Sequence, residues 1–368
     1  MTFRLGELFC GPGGIGWGAK NAKIKSGDYL YSITHAWATD YDTDTCETYR
    51  LNICPNYPKS VLCKDIRRLD METLAKVSDI DGLAFGFPCN DFSVVGEQKG
   101  INGVYGPLYS YGIKALDFFK PQWFLAENVG GLRNSNEGMA FKNILYELTE
   151  VGYKIVPHLY KFEEYGVPQA RHRIIIIGIR NDIDVKYRVP STEPYKNIDI
   201  SSKNAIENPP ILPSAKNHTF TNHAETVIER LKYIKPGENA FNADIPKRLR
   251  LNVKGAKISQ IYKRLDPDQP AYTITGSGGG GTHVYHWEED RALTNRERAR
   301  LQTFPDTFEF IGSKQSVRKQ IGMAVPPQGS RIIFEALLKT FAGIDYPTIE
   351  SNIGYSESLF TKSNQESY

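Results

Sequence analysis

A chain of 368 residues with 40% hydrophobic side chains has material for one large core with an insertion, or for two domains, which excludes disorder of the whole chain. Its formal net charge of +3 neither demands nor opposes a nucleic-acid partner, so local charge has to decide. The five cysteines contain no C-x-x-C pair, which argues against a disulfide framework or a zinc site and for a reducing, cytoplasmic setting; no run of about 18 apolar residues marks a membrane span, and no signal-peptide pattern opens the chain.

In chain order, Leu5 to Phe9 predicts a strand, "CGPGGIGWG" a glycine turn, and "AKNAKI" the start of a helix. "KIKSGDYLY" is then a long helix-to-strand connection, Ile33 to Asp40 a strand, and "TDTCETYRLN" a helix. The strands "IDGLAFGF" and "QWFLAEN" alternate with the helices "LYSYGIKALDFF" and "FKNILYELTEVG", the second closed by Gly152. "YKIVPHLY" and "RHRIIIIGIR" add two strands, and the unbroken run Ile174 to Ile177 requires burial on both faces. Strands alternating with helices predict a doubly wound, Rossmann-like α/β sheet whose ligand sites lie at the carboxyl ends of the strands.

After Asp182 regular alternation disappears, and Pro190, Pro194, Pro209, Pro210 and Pro213 punctuate a polar stretch. Lys247 to Arg264 carries seven Lys or Arg and no acid, and the glycine run Gly276 to Gly281 follows. Helix order returns at "ALTNRERARLQTF", where Thr294 and Glu297 have capping-box spacing, and again where Ile332, Ile333, Ala336, Leu337 and Phe341 recur with helical period. The expected division is a catalytic and cofactor-binding domain over 1–182, a smaller irregular domain over 183–290, a returning segment over 291–345, and a loose polar tail over 346–368.

The loop "FCGPGG" lies between a strand and a helix, where glycines permit close backbone approach to a ligand and a helix amino terminus favours negative groups. Asp40 ends the next strand, positioned to accept from ribose hydroxyls, and Asp65 in "CKDI" ends another, positioned to accept from an adenine amine. Turn glycines and helix-capping acids account for the same features without a ligand. Cys89 in "GFPCNDFS" reads as a small buried hydrophobe or, from its place just past a strand end and behind Pro88, as a nucleophile. Glu127 in "ENV" ends the next strand; in a partly dry crevice its pKa should rise, suiting it to donate a proton. Arg171 and Arg173 in "QARHR" stand two positions apart, as on one face of a strand, able to hold a carbonyl or phosphate or to form an ordinary ion pair. His218, His223, His283 and His286 lack a cysteine or carboxylate to complete a metal set and are read as non-ligands.

The ordered set "FCGPGG", "GFPCNDFS", "ENV", "QARHR", "RALTNRERARLQTFPD" and "QIGMAVP" resembles the DNA cytosine-5 methyltransferases, of the type found in bacterial restriction-modification systems, from Leu5 to about Phe341. The resemblance implies that Cys89 adds to C6 of a flipped-out cytosine while Glu127 serves N3, and that C5 takes the methyl group of S-adenosyl-L-methionine. It further implies that Arg171 and Arg173 hold the pyrimidine carbonyl and adjoining backbone. Phe9, Gly11, Gly13 and Gly14 would line the cofactor loop, with Asp40 on the ribose and Asp65 with Ile66 at the adenine. Pro88, Leu108, Ala324 and Val325 would complete that pocket, so that "QIGMAVP" returns to the first sheet. Double-stranded DNA is the implied partner, read by the variable region through its basic run and its "TIT" and "GSGGGG" stretches; a cognate restriction endonuclease, a monomeric state and no membrane association belong to the same expectation.

Three positions depart from the commonest pattern of that family: Asn90 stands for glutamine, Met323 for asparagine and Asp40 for glutamate. The rival readings are a nicotinamide-dependent oxidoreductase, which gives no task to Cys89, Glu127 and the arginines, a tRNA cytosine-5 methyltransferase, and a catalytically silent DNA-binding relative.

Overall fold

The computed structural model of the protein describes residues 1–86, 108–129, 139–252, 259–276 and 282–354. Packing divides the chain into two compact units, the first made of Met1–Lys161, His172–Pro194 and Ser330–Tyr368, the second of Phe162–Arg171 and Tyr195–Gly329.

The first unit is built on one mixed sheet. Its strands are β1 (Thr2–Leu8), β2 (Lys23–Ser26), β3 (Tyr29–Asp40), β4 (Val61–Cys63), β5 (Gly82–Gly86), β6 (Trp123–Val129), β7 (Tyr153–Lys161) and, past the short β8 (Gln169–Ala170) of the second unit, β9 (His172–Arg180). The order across the sheet is β2-β3-β1-β5-β6-β9-β7, with β4 also on β3. β3, β1, β5 and β6 run parallel, and β9 is inserted antiparallel between β6 and β7. The chain leaves β1 first toward β3 and β4 and then toward β5 and β6, so the switch point lies at the carboxyl ends of β1 and β5, where such folds bind ligands.

Both faces of this sheet are covered, as the isoleucine run predicts: Ile174, Ile175, Ile176 and Ile177 are all buried. Leu8, Trp37, Leu83, Phe85, Phe124, Ile174 and Ile176 form one cluster with Leu74 of α3 (Met71–Ala75), Ala115 and Leu116 of α4 (Tyr109–Phe119) and Ile144, Leu145 and Leu148 of the helix Met139–Glu150, here α5. On the other face Phe3 meets Trp123 and Phe341, and Trp123 meets Phe334, edge to face or tilted, which docks the last helix of the unit.

Helix α2 (Thr43–Asn52) coincides with its sequence expectation because Asp42 caps it, accepting from Thr45 N at 3.0 Å. Helix α1 does not: it spans Gly14–Asn21, through the glycines read as a turn, and "KIKS" is the strand β2, which pairs antiparallel with Tyr29–Ser32. Glycine's poor helix propensity is overridden by packing. A Cβ on Gly16 would come within 2.8 Å of Tyr49 Oη and 2.9 Å of Glu7 Oε2, so only glycine lets α1 approach β1 this closely.

The unit boundaries also differ from those expected from composition. Val189–Pro190 pairs with Thr348–Ile349, and Asn352 Oδ1 accepts from Leu159 N at 2.8 Å while Ile353 is buried. Residues 183–194 and 346–354 therefore pack with the first unit, although their composition is polar, and the return to that unit comes at Ser330 rather than at 291. Ten residues between β7 and β9 belong instead to the second unit.

The second unit has little regular structure, with α6 (Ser202–Glu207), α7 (Glu225–Leu231), α8 (Asn295–Leu301) and α9 (Lys314–Met323). Thr294 and Glu297 close the expected capping box on α8. Leu231, Ile234, Ile245, Leu249, Tyr262 and Tyr285 form a small core. The described cations of the basic run differ in burial and partners. Arg264 is 3% exposed and donates to the carbonyls of His286 (2.6 Å), Glu289 (2.7 Å) and Leu231 (2.9 Å) and to the Asp290 carboxylate; Arg248 pairs with Glu229, Lys263 lies over Tyr272, and Lys254 and Lys257 fall outside the described residues.

Arg264 is thus a structural post. Replacing it by leucine strands Asp290 and three carbonyls, and the second unit should lose about 3–5 kcal/mol in urea denaturation. Arg264→Lys should restore little of this, because one ammonium cannot span the acceptors that the guanidinium reaches. A loss below about 1 kcal/mol for Arg264→Leu would return this residue to the ranks of surface cations.

Candidate active site

The carboxyl end of β1 leads into a loop whose backbone is set by residues with positive φ: Phe9 (54°), Gly11 (55°) and Gly13 (99°). Gly13 is the amino-terminal cap of α1. Gly11 has nothing within 4 Å of where a Cβ would stand, whereas a Cβ on Gly13 would meet Ile53 and Tyr49 at 3.0 and 3.1 Å. Asp40, at the end of β3, fixes the loop from below: its Oδ2 accepts from Gly11 N at 3.0 Å and its Oδ1 from Asp42 N at 3.1 Å. Burial pushes the Asp40 carboxyl above its ordinary pKa, and those backbone N–H groups hold the rise in check.

Phe9, Ile66 and Leu108 pack into one apolar cluster with Leu8 and Phe85. Asp65 caps the short turn Ile66–Arg68 and is held by the Arg67 guanidinium, whose hydrogen bonds pull its carboxyl down to about 2. Pro88 and Cys89 lie outside the described residues. Ala324 and Val325 are buried in the second unit.

Glu127 stands directly opposite Gly86, the last residue of β5, in the parallel register of β5 and β6. A Cβ on Gly86 would come within 3.0 Å of Glu127 Oε2, so the glycine leaves room at the carboxylate. Arg173 of β9, opposite Val129, brings its Nε to 2.9 Å from Glu127 Oε1, and both side chains are only slightly exposed. Arg171 does not share a strand face with it. That residue falls in the break between β8 and β9, is fully buried in the second unit, and donates to Ile274 O at 3.1 Å and to Gly322 O at 2.9 Å. One arginine of "QARHR" therefore meets the acid at the sheet, while the other ties "TIT" to the end of α9. That bond also anchors the segment whose usual asparagine is Met323, here 53% exposed.

The sequence reading missed the polar layer beneath the glycine loop. Glu7 of β1 is 1% exposed and accepts from Tyr49 Oη at 3.0 Å. Tyr49 Oη is 3.3 Å from His35 Nδ1, and His35 Nε2 is 2.7 Å from Ser60 Oγ. A carboxylate inside the short apolar run Leu5 to Phe9 was the available signal. Burial pushes the Glu7 carboxyl up to about 8 against the opposing Tyr49 bond, and burial holds His35 down at about 4.

Folded Glu7 thus keeps its proton until about pH 8, whereas the unfolded chain releases it near pH ~4.3. Between those values the native state binds more protons, so this stabilising contribution is complete below the lower pKa and lost as pH rises through the upper one, at up to about 1.4 kcal/mol per pH unit. Glu7→Gln should flatten the Tm-against-pH curve between pH ~5 and ~8. An unchanged curve would mean that Glu7 is ionised throughout.

A glycine loop after the first strand, an acid after the next, and a carboxylate paired with arginine at the neighbouring strand ends gather at the carboxyl edge of an α/β sheet, where such folds bind their ligands. The chain matches C-5 cytosine-specific DNA methylases over residues 3–339, and it belongs to that family. Among curated relatives, the type II methyltransferase M.BbvI of Brevibacillus brevis is 60% identical over 358 residues, covering 95% of each chain. The type II methyltransferase M.NgoFVII of Neisseria gonorrhoeae is 38% identical over 91% of this chain and 86% of its own. Of solved structures, the S. pombe Dnmt2 methyltransferase superposes with a TM-score of 0.60 at 19% identity, over 92% of this chain and 98% of that one, which bears on the fold alone. The protein is a DNA cytosine-5 methyltransferase.

Proposed function

We propose that this enzyme methylates C5 of a flipped-out cytosine within a short recognition sequence of double-stranded DNA, as the modification partner of a type II restriction endonuclease. The observation that carries the reading is the Glu127–Arg173 pair opposite Gly86, three residues before Cys89 in the chain of a family member. The names of the relatives at 60% and 38% identity support the restriction-modification setting.

The residues present suit S-adenosyl-L-methionine: Gly11 leaves open space where a side chain would stand, α1 begins at a glycine cap, and Asp40 is a half-buried acceptor. Phe9, Gly11, Gly13, Gly14, Asp40, Asp65, Ile66, Pro88 and Leu108 would hold it. Asp65 can accept from an adenine amine while bound to Arg67, since a carboxylate offers about four lone-pair sites. When bound, this cofactor supplies a methyl group on a sulfonium centre.

Cytosine C5 is a weak nucleophile, and Cys89 remedies this by adding its thiolate to C6. Glu127 donates a proton or hydrogen bond to N3, so the electrons pushed from C6 are not left as an amide anion. Arg173 holds the Glu127 carboxyl toward the base. After methylation, removal of the C5 proton expels Cys89 and restores the aromatic ring. The target base has to leave the duplex for any of these groups to reach it.

Methyl transfer from labelled S-adenosyl-L-methionine to random-sequence duplex DNA and to total tRNA, followed by base-resolution mapping of 5-methylcytosine, tests the whole reading. Label in duplex DNA at one short motif is the expected result. Label in tRNA alone would overturn the substrate, and label in neither would overturn the activity.

A further inference from the structure

Two cysteines that the sequence separates by a helix and a loop meet in the first unit, and the methyl-transfer chemistry uses neither. The parallel register of β3 and β4 puts Cys63 opposite Asp40. Cys46 lies in the first turn of α2, where its N donates to Asp42 O at 2.9 Å and its Sγ to Asp40 O at 3.4 Å. Cys63 Sγ lies 3.8 Å from Tyr41 O and 3.8 Å from Thr43 Oγ1, so the two sulfurs sit over consecutive carbonyls. They also act on each other: burial pushes the Cys46 thiol up, and a hydrogen bond between the two thiols adds to the rise.

The pair is unequal in access. Cys46 is fully buried, as are Cys10 and Cys54, whereas Cys63 is half-buried and is the one that a solute reaches among the described cysteines. Unequal exposure suits a two-step oxidation in which the outer sulfur takes the oxidant and the inner one resolves it. The Cys63 thiolate attacks a peroxide oxygen, the O–O bond breaks, and Cys63 becomes a sulfenic acid with release of water. The Cys46 sulfur then attacks the Cys63 sulfur, the S–O bond breaks, and the departing hydroxide takes up the Cys46 proton as a second water. One peroxide is thereby reduced by two electrons, and the two thiols are oxidised to one disulfide.

The same corner carries two acids of the cofactor reading. Asp40 O, which accepts from the Cys46 thiol, also accepts from Lys64 N at 2.9 Å, and the Asp40 carboxylate accepts from Gly11 N and Asp42 N. Asp65 stands two residues beyond Cys63 and caps the turn Ile66–Arg68. A disulfide removes both S–H donors from these carbonyls and draws the first turn of α2 onto β4. Asp40 and Asp65 flank that bond in the chain, so both are displaced when it forms.

We propose that Cys46 and Cys63 form a reversible oxidation site for peroxides, and that their disulfide weakens the binding of S-adenosyl-L-methionine. The effect on the cofactor rests on the reading of Asp40 and Asp65 as its acceptors. The disulfide itself rests on the thiol geometry alone.

The test uses the full chain carrying Cys89→Ala, which removes the thiol assigned to catalysis, treated with hydrogen peroxide. Peptide mapping without reductant should find Cys46 joined to Cys63, and maleimide labelling after denaturation should show both thiols lost together and restored by dithiothreitol. Calorimetry should show S-adenosyl-L-methionine bound about tenfold more weakly by the oxidised chain, with full recovery on reduction. Adding Cys63→Ser should leave cofactor affinity unchanged by peroxide. Cys46→Ala, which leaves an oxidised Cys63 without a resolving thiol, should form no link either. Thiols that stay free, or a link from either sulfur to Cys10 or Cys54 instead, would overturn the proposal. So would a Cys46–Cys63 disulfide that leaves cofactor affinity as it was. An untreated chain that fails to bind S-adenosyl-L-methionine would refute the cofactor reading, and the peptide map would still decide for or against the thiol pair.

Discussion

Cys89→Ala should abolish methyl transfer, with a loss on the order of 10⁴- to 10⁶-fold, while the thermal transition and duplex binding stay near those of the wild type. The size follows from the chemistry of the base. C5 of an intact cytosine has too little carbanion character to attack a methyl group, and addition at C6 is what creates it. Cys89→Ser should fare nearly as badly, because a hydroxyl is far less ionised than a thiol near neutral pH. A duplex carrying 5-fluorocytosine at the methylated position gives a direct readout: fluorine cannot leave as a cation, so elimination stops and the protein stays bound to the DNA. Wild type should yield this denaturant-resistant complex and Cys89→Ala none. Turnover by Cys89→Ala above roughly a tenth of wild type would remove the covalent step from the mechanism.

The second large effect is expected at Glu127. Glu127→Gln preserves shape and removes the ability to give up a proton, and kcat should fall about 10²- to 10⁴-fold with little change in KM for DNA. Glu127→Asp withdraws the carboxyl by one methylene from Arg173, now at 2.9 Å, and should be slowed as well. The two variants separate proton donation from placement: a pH-rate profile that loses its limb in Glu127→Gln but keeps it in Glu127→Asp assigns the titrating group to this residue. Equal and mild effects in both would reduce Glu127 to a partner of Arg173.

Much of the first unit was legible because its signals are local. Asp42 before "TDTCETYRLN" caps a helix wherever that helix packs, and four consecutive isoleucines require a strand with two covered faces. The family itself was legible for a related reason, since short motifs in a fixed order survive in sequence without any contact being known. Helix α1 was misjudged because its glycines answer to Tyr49 and Glu7, residues distant or unremarked in sequence. The equivalence assumed for Arg171 and Arg173 failed at a strand break that periodicity does not reveal, and the basic run concealed a buried post at Arg264 because charge counts carry no burial.

The sequence by itself determined the class of the sheet, the order of the motifs and the candidates Cys89, Glu127 and Asp40, all properties carried by neighbouring residues or by strand ends. Only the tertiary structure decided which arginine meets Glu127, where the chain passes between units, and which carboxylate lies under the glycine loop. Each of these depends on pairing and burial between residues far apart in the chain, where the cost of an unpaired polar group selects among partners that composition leaves equal.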